Sequence, residues 1–258
     1  MEWRGEALIL SARPLGENSK IVELLSPDQG RTVGLVRGAR SKGMRALLQP
    51  GNVVNATWRA RLDDQLGTLA LELAEARAGL VMETPWGAYG LGSMASLLAF
   101  LPERDPHPRL YAAANALISA FALPPAAGEA GVRFELILLE EFGFGLDLSM
   151  CAATGTREDL VYVSPRTGRA VSRAAGAPYK ERLLPLPAFM LDHAAVADSE
   201  SVAAAFRTTG HFLSTQIAAL VNKHLPEPRE RFVRAVVKAI AREEEAGSVH
   251  RPGPTVDG

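Results

Sequence analysis

Asn52-Val53-Val54-Asn55-Ala56-Thr57-Trp58-Arg59-Ala60-Arg61 is the stretch that decides the fold of the first part of the chain. Val54, Ala56, Trp58 and Ala60 share one face. Val53, Asn55, Thr57, Arg59 and Arg61 share the other, the period-two pattern of a half-buried strand. Downstream, Leu62-Asp63-Asp64-Gln65-Leu66-Gly67 reads as a turn. Residues 68–73 then alternate again, with Leu69, Leu71 and Leu73 together. Upstream, residues 6–12, 21–25 and 32–36 are short apolar runs. Ser26-Pro27-Asp28-Gln29-Gly30 lies between the second and third of them as a turn, because Pro presets one dihedral and Gly accepts a positive φ. Five short strands in residues 1–78 predict a small barrel, with the five-stranded oligonucleotide-binding (OB) barrel as the leading candidate.

The pattern changes near Ala78. Residues 85–101, 110–123 and 131–142 are rich in Ala, Leu and Met. Phe134, Ile137, Leu138 and Glu141 fall at helical spacing. Pro102, Pro106, Pro108, Pro124 and Pro125 separate these helices, and Gly143 and Gly145 stop the third. Residues 201–225 and 229–245 read as further helices. Between them, residues 147–187 form an insertion with short strands around Leu160-Val161-Tyr162-Val163 and Arg169-Ala170-Val171-Ser172. Those strands are too short to stand alone and must lean on the helices. The expected class is therefore α+β and multidomain: a barrel over 1–78, a helical domain over 79–246, and a mobile tail over 247–258.

The chain has 258 residues, 47% hydrophobic and 22% charged, with a formal net charge of -1. The length suits two domains of about 100–200 residues, and the composition excludes wholesale disorder. A surface coated throughout with nucleic acid does not fit that net charge, although a local basic patch does. Cys151 is the single cysteine, so no internal disulfide and no four-cysteine zinc site can form. A reducing cytoplasm is the natural setting. The charged N-terminus lacks a signal-peptide core, and the long uncharged run of residues 84–102 reads as a buried helix and not a membrane span.

Residues 31–61 carry the most chemistry. They contain seven basic side chains, Arg31, Arg37, Arg40, Lys42, Arg45, Arg59 and Arg61, and no Asp or Glu. Gly38-Ala39-Arg40-Ser41-Lys42-Gly43-Met44-Arg45 reads as a glycine-rich loop able to bring donors against phosphates, which supply affinity without reading sequence. The alternative is a solvated basic loop balanced by acids elsewhere. Trp58 is open to two readings, a base-stacking platform or, since it shares a face with Val54 and Ala56, a core residue. Enzyme signals are weak throughout: no phosphate-binding loop, no dinucleotide fingerprint, no His-Glu-x-x-His, and Ser93 lacks the flanking glycines of a nucleophile elbow. His107, His193, His211, His224 and His250 are scattered without ligand spacing, and Cys151 has no local catalytic signature.

Several stretches together resemble the RecO family of DNA-repair proteins. They are Arg13-Pro14-Leu15-Gly16-Glu17-Asn18-Ser19, Gly30-Arg31, Val36-Arg37-Gly38-Ala39-Arg40, Leu48-Gln49-Pro50-Gly51, residues 138–147 (Leu-Leu-Glu-Glu-Phe-Gly-Phe-Gly-Leu-Asp) and residues 163–171 (Val-Ser-Pro-Arg-Thr-Gly-Arg-Ala-Val). The resemblance runs from Trp3 to about Ile240. It implies an OB barrel, a helical domain with a zinc-ribbon-like insertion, and a non-enzymatic recombination mediator in the cytoplasm, associated with the nucleoid. Such a protein binds single- and double-stranded DNA and anneals complementary strands. With RecR, and in many systems RecF, it loads RecA onto strands coated by single-stranded-DNA-binding protein (SSB).

Position by position, the resemblance assigns DNA contacts to Arg37, Arg40, Lys42 and Arg45, extended by Arg31, Arg59 and Arg61. It assigns the acidic, hydrophobic SSB tail to the helical domain, where Arg133 beside Phe134 offers a cation next to a ring. The insertion departs from metal-binding members: only Cys151 is present, with Thr154 where a second cysteine would stand. A metal-free insertion held by Leu160, Tyr162 and Val171 is expected, and no cofactor. Two rival readings stay open, a protein-tail adaptor whose barrel is only a scaffold and an RNA-binding barrel, which RNA's 2′-hydroxyl would distinguish.

Overall fold

The structure, a computed structural model, describes residues 1–61, 66–192 and 194–249. Residues 62–65 of the expected turn, His193, and residues 250–258 of the expected tail lie outside the described residues; residues 247–249, expected in the tail, instead continue the last helix to Val249.

Five strands close a barrel in the order β1-β2-β3-β5-β4. They are β1 (Glu2–Leu15), β2 (Ser19–Ser26), β3 (Gly30–Arg37), β4 (Val53–Arg59) and β5 (Thr68–Glu75). All neighbours are antiparallel except β3 and β5, which run parallel and meet at Leu35↔Thr68. Alternation does in three dimensions what it does in sequence. Val54, Ala56 and Trp58 join Ala7, Ile9, Val22, Leu24, Leu69 and Leu71 in the barrel core. Trp58 is 2% exposed, and its Nε1 donates to the carbonyls of Val33 and Leu66, both at 3.3 Å. It is a core residue and no stacking platform.

β1 is longer than its apolar run predicts, because pairing to both β2 and β4 recruits its polar ends. Its centre, Ala7-Leu8-Ile9-Leu10, is buried on both faces. Ala7 and Ile9 point into the barrel, while Leu8 and Leu10, with Leu25 and Val53, enter the core of the helical domain. A continuous apolar run is the signature of a strand covered on both sides.

Between β3 and β4 the glycine-rich segment is not a loop throughout. A short helix, α1 (Lys42–Leu47), starts at Ser41, whose Oγ accepts from the Met44 N–H at 3.2 Å. Met44 and Leu47 pack on the barrel core, so Lys42 and Arg45 face outward. The helix has an apolar underside that the basic composition masks in the sequence.

The helical domain comprises α2 (Ala78–Met82), α3 (Pro85–Leu98), α4 (Pro108–Ala120) and α5 (Pro124–Glu141). After the insertion come α6 (Arg173–Gly176), α7 (Ser199–Phe212) and α8 (Glu227–Val249). Pro124 does not merely separate helices; it opens α5 at a position where a missing N–H costs nothing. The helix expected over 201–225 breaks down at its end into a π-helical segment, Leu213–Ala218. The insertion is a small sheet of order β7-β6-β8, from β6 (Leu160–Val163), β7 (Ala170–Ser172) and β8 (Leu184–Pro185). It leans on the helices as its size requires: Leu160, Val163, Ala170 and Val171 are part of the domain core, and Thr208 Oγ1 donates to the Pro185 carbonyl at 2.6 Å.

Two charged contacts fix the architecture. Arg229 and Glu135, 8% and 3% exposed at their side chains, form a bidentate pair at 2.8 and 2.9 Å. Arg229 also donates to the Phe206 carbonyl and Thr209 to Glu135, so α5, α7 and α8 are locked at one point. The second contact joins barrel to helices. Arg31 pairs with Glu23 at 2.9 Å and Glu103 at 3.6 Å, and its backbone carbonyl accepts from the Arg104 N–H at 2.8 Å. Gly30, at φ +58°, lets the chains approach there; a Cβ would sit 1.9 Å from the Asp105 carbonyl oxygen.

Candidate nucleic-acid interface

Arg37 ends β3 and is exposed. Gly38, at φ +70°, turns the chain outward, and the Ala39 N–H donates to the Asn18 carbonyl at 3.1 Å. That bond ties the β3–α1 connection to the β1–β2 turn. Arg40 follows, exposed, with Glu17 as its nearest acid at 3.8 Å. Both side chains are largely in solvent (70% and 89%), so the pair holds little of the charge back. Lys42 and Arg45 occupy the outer face of α1. Four cations from nine consecutive residues thus project from one end of the barrel. Among the described residues, no ion pair engages Arg37, Lys42 or Arg45.

The other three members of the basic set behave differently. Arg31 is withdrawn: its side chain is 14% exposed and spent on Glu23, Glu103 and the Leu101 carbonyl. It is an interdomain tie and leaves the candidate surface. Its capture comes from the barrel register, which sets Glu23 opposite Val33, two residues from Arg31. Arg59 forms a bidentate pair with Glu2 at 2.9 and 3.1 Å. That contact holds the Glu2 carboxyl below the usual carboxylate range and raises Arg59. Arg59 is therefore exposed but half-neutralised. Arg61 is exposed at the edge of residues 62–65.

Two cations outside the acid-free window were missed. Lys20 lies opposite Val36 and Arg13 opposite Ile21, which brings both to the strand neighbourhood of Arg37. A window of consecutive residues cannot find them; hairpin register could.

The pair assigned to a partner tail does not form a groove. Phe134 is 1% exposed, in the helical core. Arg133 bonds Glu129 at 2.9 Å and the Phe189 carbonyl at 3.1 Å, bracing α5 against a neighbouring turn. Helical periodicity already placed Phe134 on the apolar face, and burial wins. A better groove lies between α7 and α8, with a volume of about 440 Å³. Phe206, Leu225 and Val233 line it, with Arg207, Arg234 and the single carboxylate of Glu230 beside them.

In the insertion, Cys151 is 1% exposed. Its Sγ accepts from the Ser172 N–H at 3.3 Å and the Ser172 hydroxyl at 3.5 Å. Burial pushes the thiol up, but hydrogen bonds from Ser172, Thr154 and Ala153 outweigh it and bring the pKa down to about 6. Among the described residues no three His, Cys, Asp or Glu side chains gather as metal ligands. No helix among them is long and apolar enough to cross a membrane.

A closed five-stranded barrel with a cationic end, built onto a helical domain, defines a protein of the OB-fold class. The family model for the recombination protein O N-terminal domain matches residues 1–77, and that for its C-terminal domain matches residues 87–226. The chain belongs to this RecO family. It is 50% identical over 246 residues to the DNA repair protein RecO of Agrobacterium fabrum (strain C58 / ATCC 33970), covering 95% of this chain and 97% of that one. The RecO of Sinorhizobium medicae (strain WSM419) is 49% identical over 248 residues, 93% of this chain and 96% of its own. That of Xanthobacter autotrophicus (strain ATCC BAA-1158 / Py2) is 48% identical over 241 residues, 93% and 99%.

Proposed function

We infer that this protein is a non-enzymatic recombination mediator in DNA repair that grips DNA through backbone phosphates. The observation that carries the reading is the projection of Arg37, Arg40, Lys42 and Arg45 from one barrel end, with no strong carboxylate partner among the described residues. Cations so placed replace condensed counterions on a strand and gain affinity without reading bases. Both single and double strands offer the same phosphates. Partial neutralisation of two strands held near one protein lowers their repulsion and raises their effective concentration, which speeds annealing. With RecR and RecF as partners, the same grip serves RecA loading onto SSB-coated strands.

The test is a salt titration of oligonucleotide binding by the wild type and by the combined Arg37→Ala, Arg40→Ala, Lys42→Ala, Arg45→Ala variant. Loss of four phosphate contacts lowers the slope of log K against log salt by about 3, and annealing of SSB-coated strands disappears while the melting temperature holds. An unchanged slope removes these residues from the interface.

The groove between α7 and α8 supports a tail-binding role alongside. An acidic, apolar peptide end fits Arg207 and Arg234 beside Phe206, Leu225 and Val233. Arg207→Ala with Arg234→Ala then abolishes binding of an SSB-tail peptide but leaves DNA affinity intact; retained peptide binding moves the tail elsewhere.

A further inference from the structure

The barrel is nearly split along one seam. β3 and β5 run side by side but pair at a single position, Leu35↔Thr68, closed by the Leu35 N–H on the Gly67 carbonyl at 3.0 Å. Beyond that point β5 is paired only to β4 through Glu75. The two strands diverge, and a cleft of about 560 Å³ opens between them. Leu69 and Leu71, 6% and 8% exposed, line its inner side. Met44 of α1 and Leu35 line it too, Ala70 stands exposed on one wall, and Arg37 is among the lining residues. No element of the described chain fills this cleft, although it borders the barrel core.

We propose that this cleft is a base-accepting subsite: an unstacked nucleobase of a single strand enters between β3 and β5 while Arg37 holds the adjoining phosphate. The proposal rests on the DNA reading above and adds to it a contact that charge alone does not supply. A base is flat, apolar on its faces and polar at its edges. Leucine side chains and the Met44 thioether suit its faces, sulfur being polarisable and favourable against a π system. Unpaired backbone N–H and C=O groups on the diverging strand edges suit its polar rim without selecting one base. The occupant is argued from charge: Arg37 sits at the cleft and Lys42 and Arg45 on the helix that supplies Met44, which favours a polyanion over a neutral peptide strand added to the β5 edge. Duplex bases are stacked and paired, so the subsite serves single strands alone.

The experiment compares an intact single-stranded oligonucleotide with one of the same length whose central nucleotides are abasic and whose charge is unchanged. Fluorescence anisotropy reads the affinity of the wild type and of Ala70→Phe, which fills the exposed wall. The expected result is about tenfold tighter binding of the intact strand by the wild type, the scale of one base stacked on protein. In Ala70→Phe that preference collapses while affinity for the abasic strand is kept. Equal, salt-dependent affinity for both strands overturns the subsite and leaves the phosphate grip standing, as it does if a peptide is the true occupant. A preference that survives Ala70→Phe in a protein of unchanged melting temperature puts the base elsewhere and also overturns it. Failure to bind either strand at low salt brings down the DNA reading itself. Should Ala70→Phe not fold, the smaller Ala70→Leu obstructs the same wall: a reduced preference for the intact strand supports the subsite, and an unchanged preference in a folded Ala70→Leu overturns it.

Discussion

Glu135 and Arg229 illustrate what a single buried pair does in this molecule. Each is nearly inaccessible, and each satisfies the other twice over. Such pairs add little net stability, because desolvating both ions offsets most of the attraction; removing one partner is costly, because the other is left charged in the core. Glu135→Ala should therefore destabilise the protein by about 3–5 kcal/mol in urea melts, and combined replacement of both residues by Met should recover most of the loss. If the double variant is no more stable than the single one, the pair is not the lock described. Cys151 gives a pH-dependent counterpart. Its folded pKa of about 6 lies below the roughly 8.5 of an unfolded thiol, so between those values the unfolded chain holds more protons. Stability therefore rises with pH across that window and is lost as pH falls through 6. Cys151→Ser should flatten the difference in melting temperature between pH 6 and pH 8.5; an equally steep profile in the variant would show that other groups set it.

Elements are joined here by a side chain that no periodicity singles out. Asn52, 2% exposed, donates to the carbonyls of Ala46 and Leu47 at the end of α1. Its Oδ1 accepts from the backbone N–H groups of Arg77 and Ala78 at the start of α2, at 2.9 and 3.0 Å. One amide thus anchors the cationic helix to the first helix of the other domain. Asn52→Ala strands buried donors and acceptors at both ends, a cost of about 2–4 kcal/mol for two or more unsatisfied groups. Thermal melts should show that loss, and faster hydrogen exchange should appear in α1. Normal protection of α1 in the variant would mean that Met44 and Leu47 hold it without help. The strands were legible because alternation forces one face inward whatever lies around it. α1 was not, since four small or basic residues conceal a two-residue apolar underside, and Ser41 as a cap is informative only once Met44 is known to be buried.

At the scale of the whole molecule, barrel and helical domain share a core. Leu8, Leu10, Leu25 and Val53 leave the barrel to pack with helical residues. Arg31, the Gly30–Asp105 approach, the Tyr111 hydroxyl donating to Glu6 at 2.7 Å and the Arg104 guanidinium 4.5 Å from the Trp58 ring reinforce the junction. Neither part can melt without exposing the other's apolar surface, so unfolding should be one cooperative transition. In a Trp86→Phe background Trp3 and Trp58 report on the barrel, and far-UV circular dichroism reports on the helices. Coincident urea midpoints are expected from the two probes; separated midpoints would mean that the shared core contributes little.

The amino-acid order alone determined the five strands, the switch to helices near Ala78, the short-stranded insertion and the basic stretch between residues 31 and 61. Periodicity and composition are local properties, and burial on one face enforces them locally. Which of the seven cations reach solvent was decided only by tertiary structure. Arg31 and Arg37 are six residues apart on one strand, yet one is consumed by Glu23 and Glu103 across a domain junction while the other stands in solvent. The fate of a charge depends on which carboxylates the fold brings within a few ångströms, and those lie 8 and 72 residues away in the chain for Arg31. Phe134 is the opposite case: helical spacing already placed it on the apolar face of α5, and it is buried there.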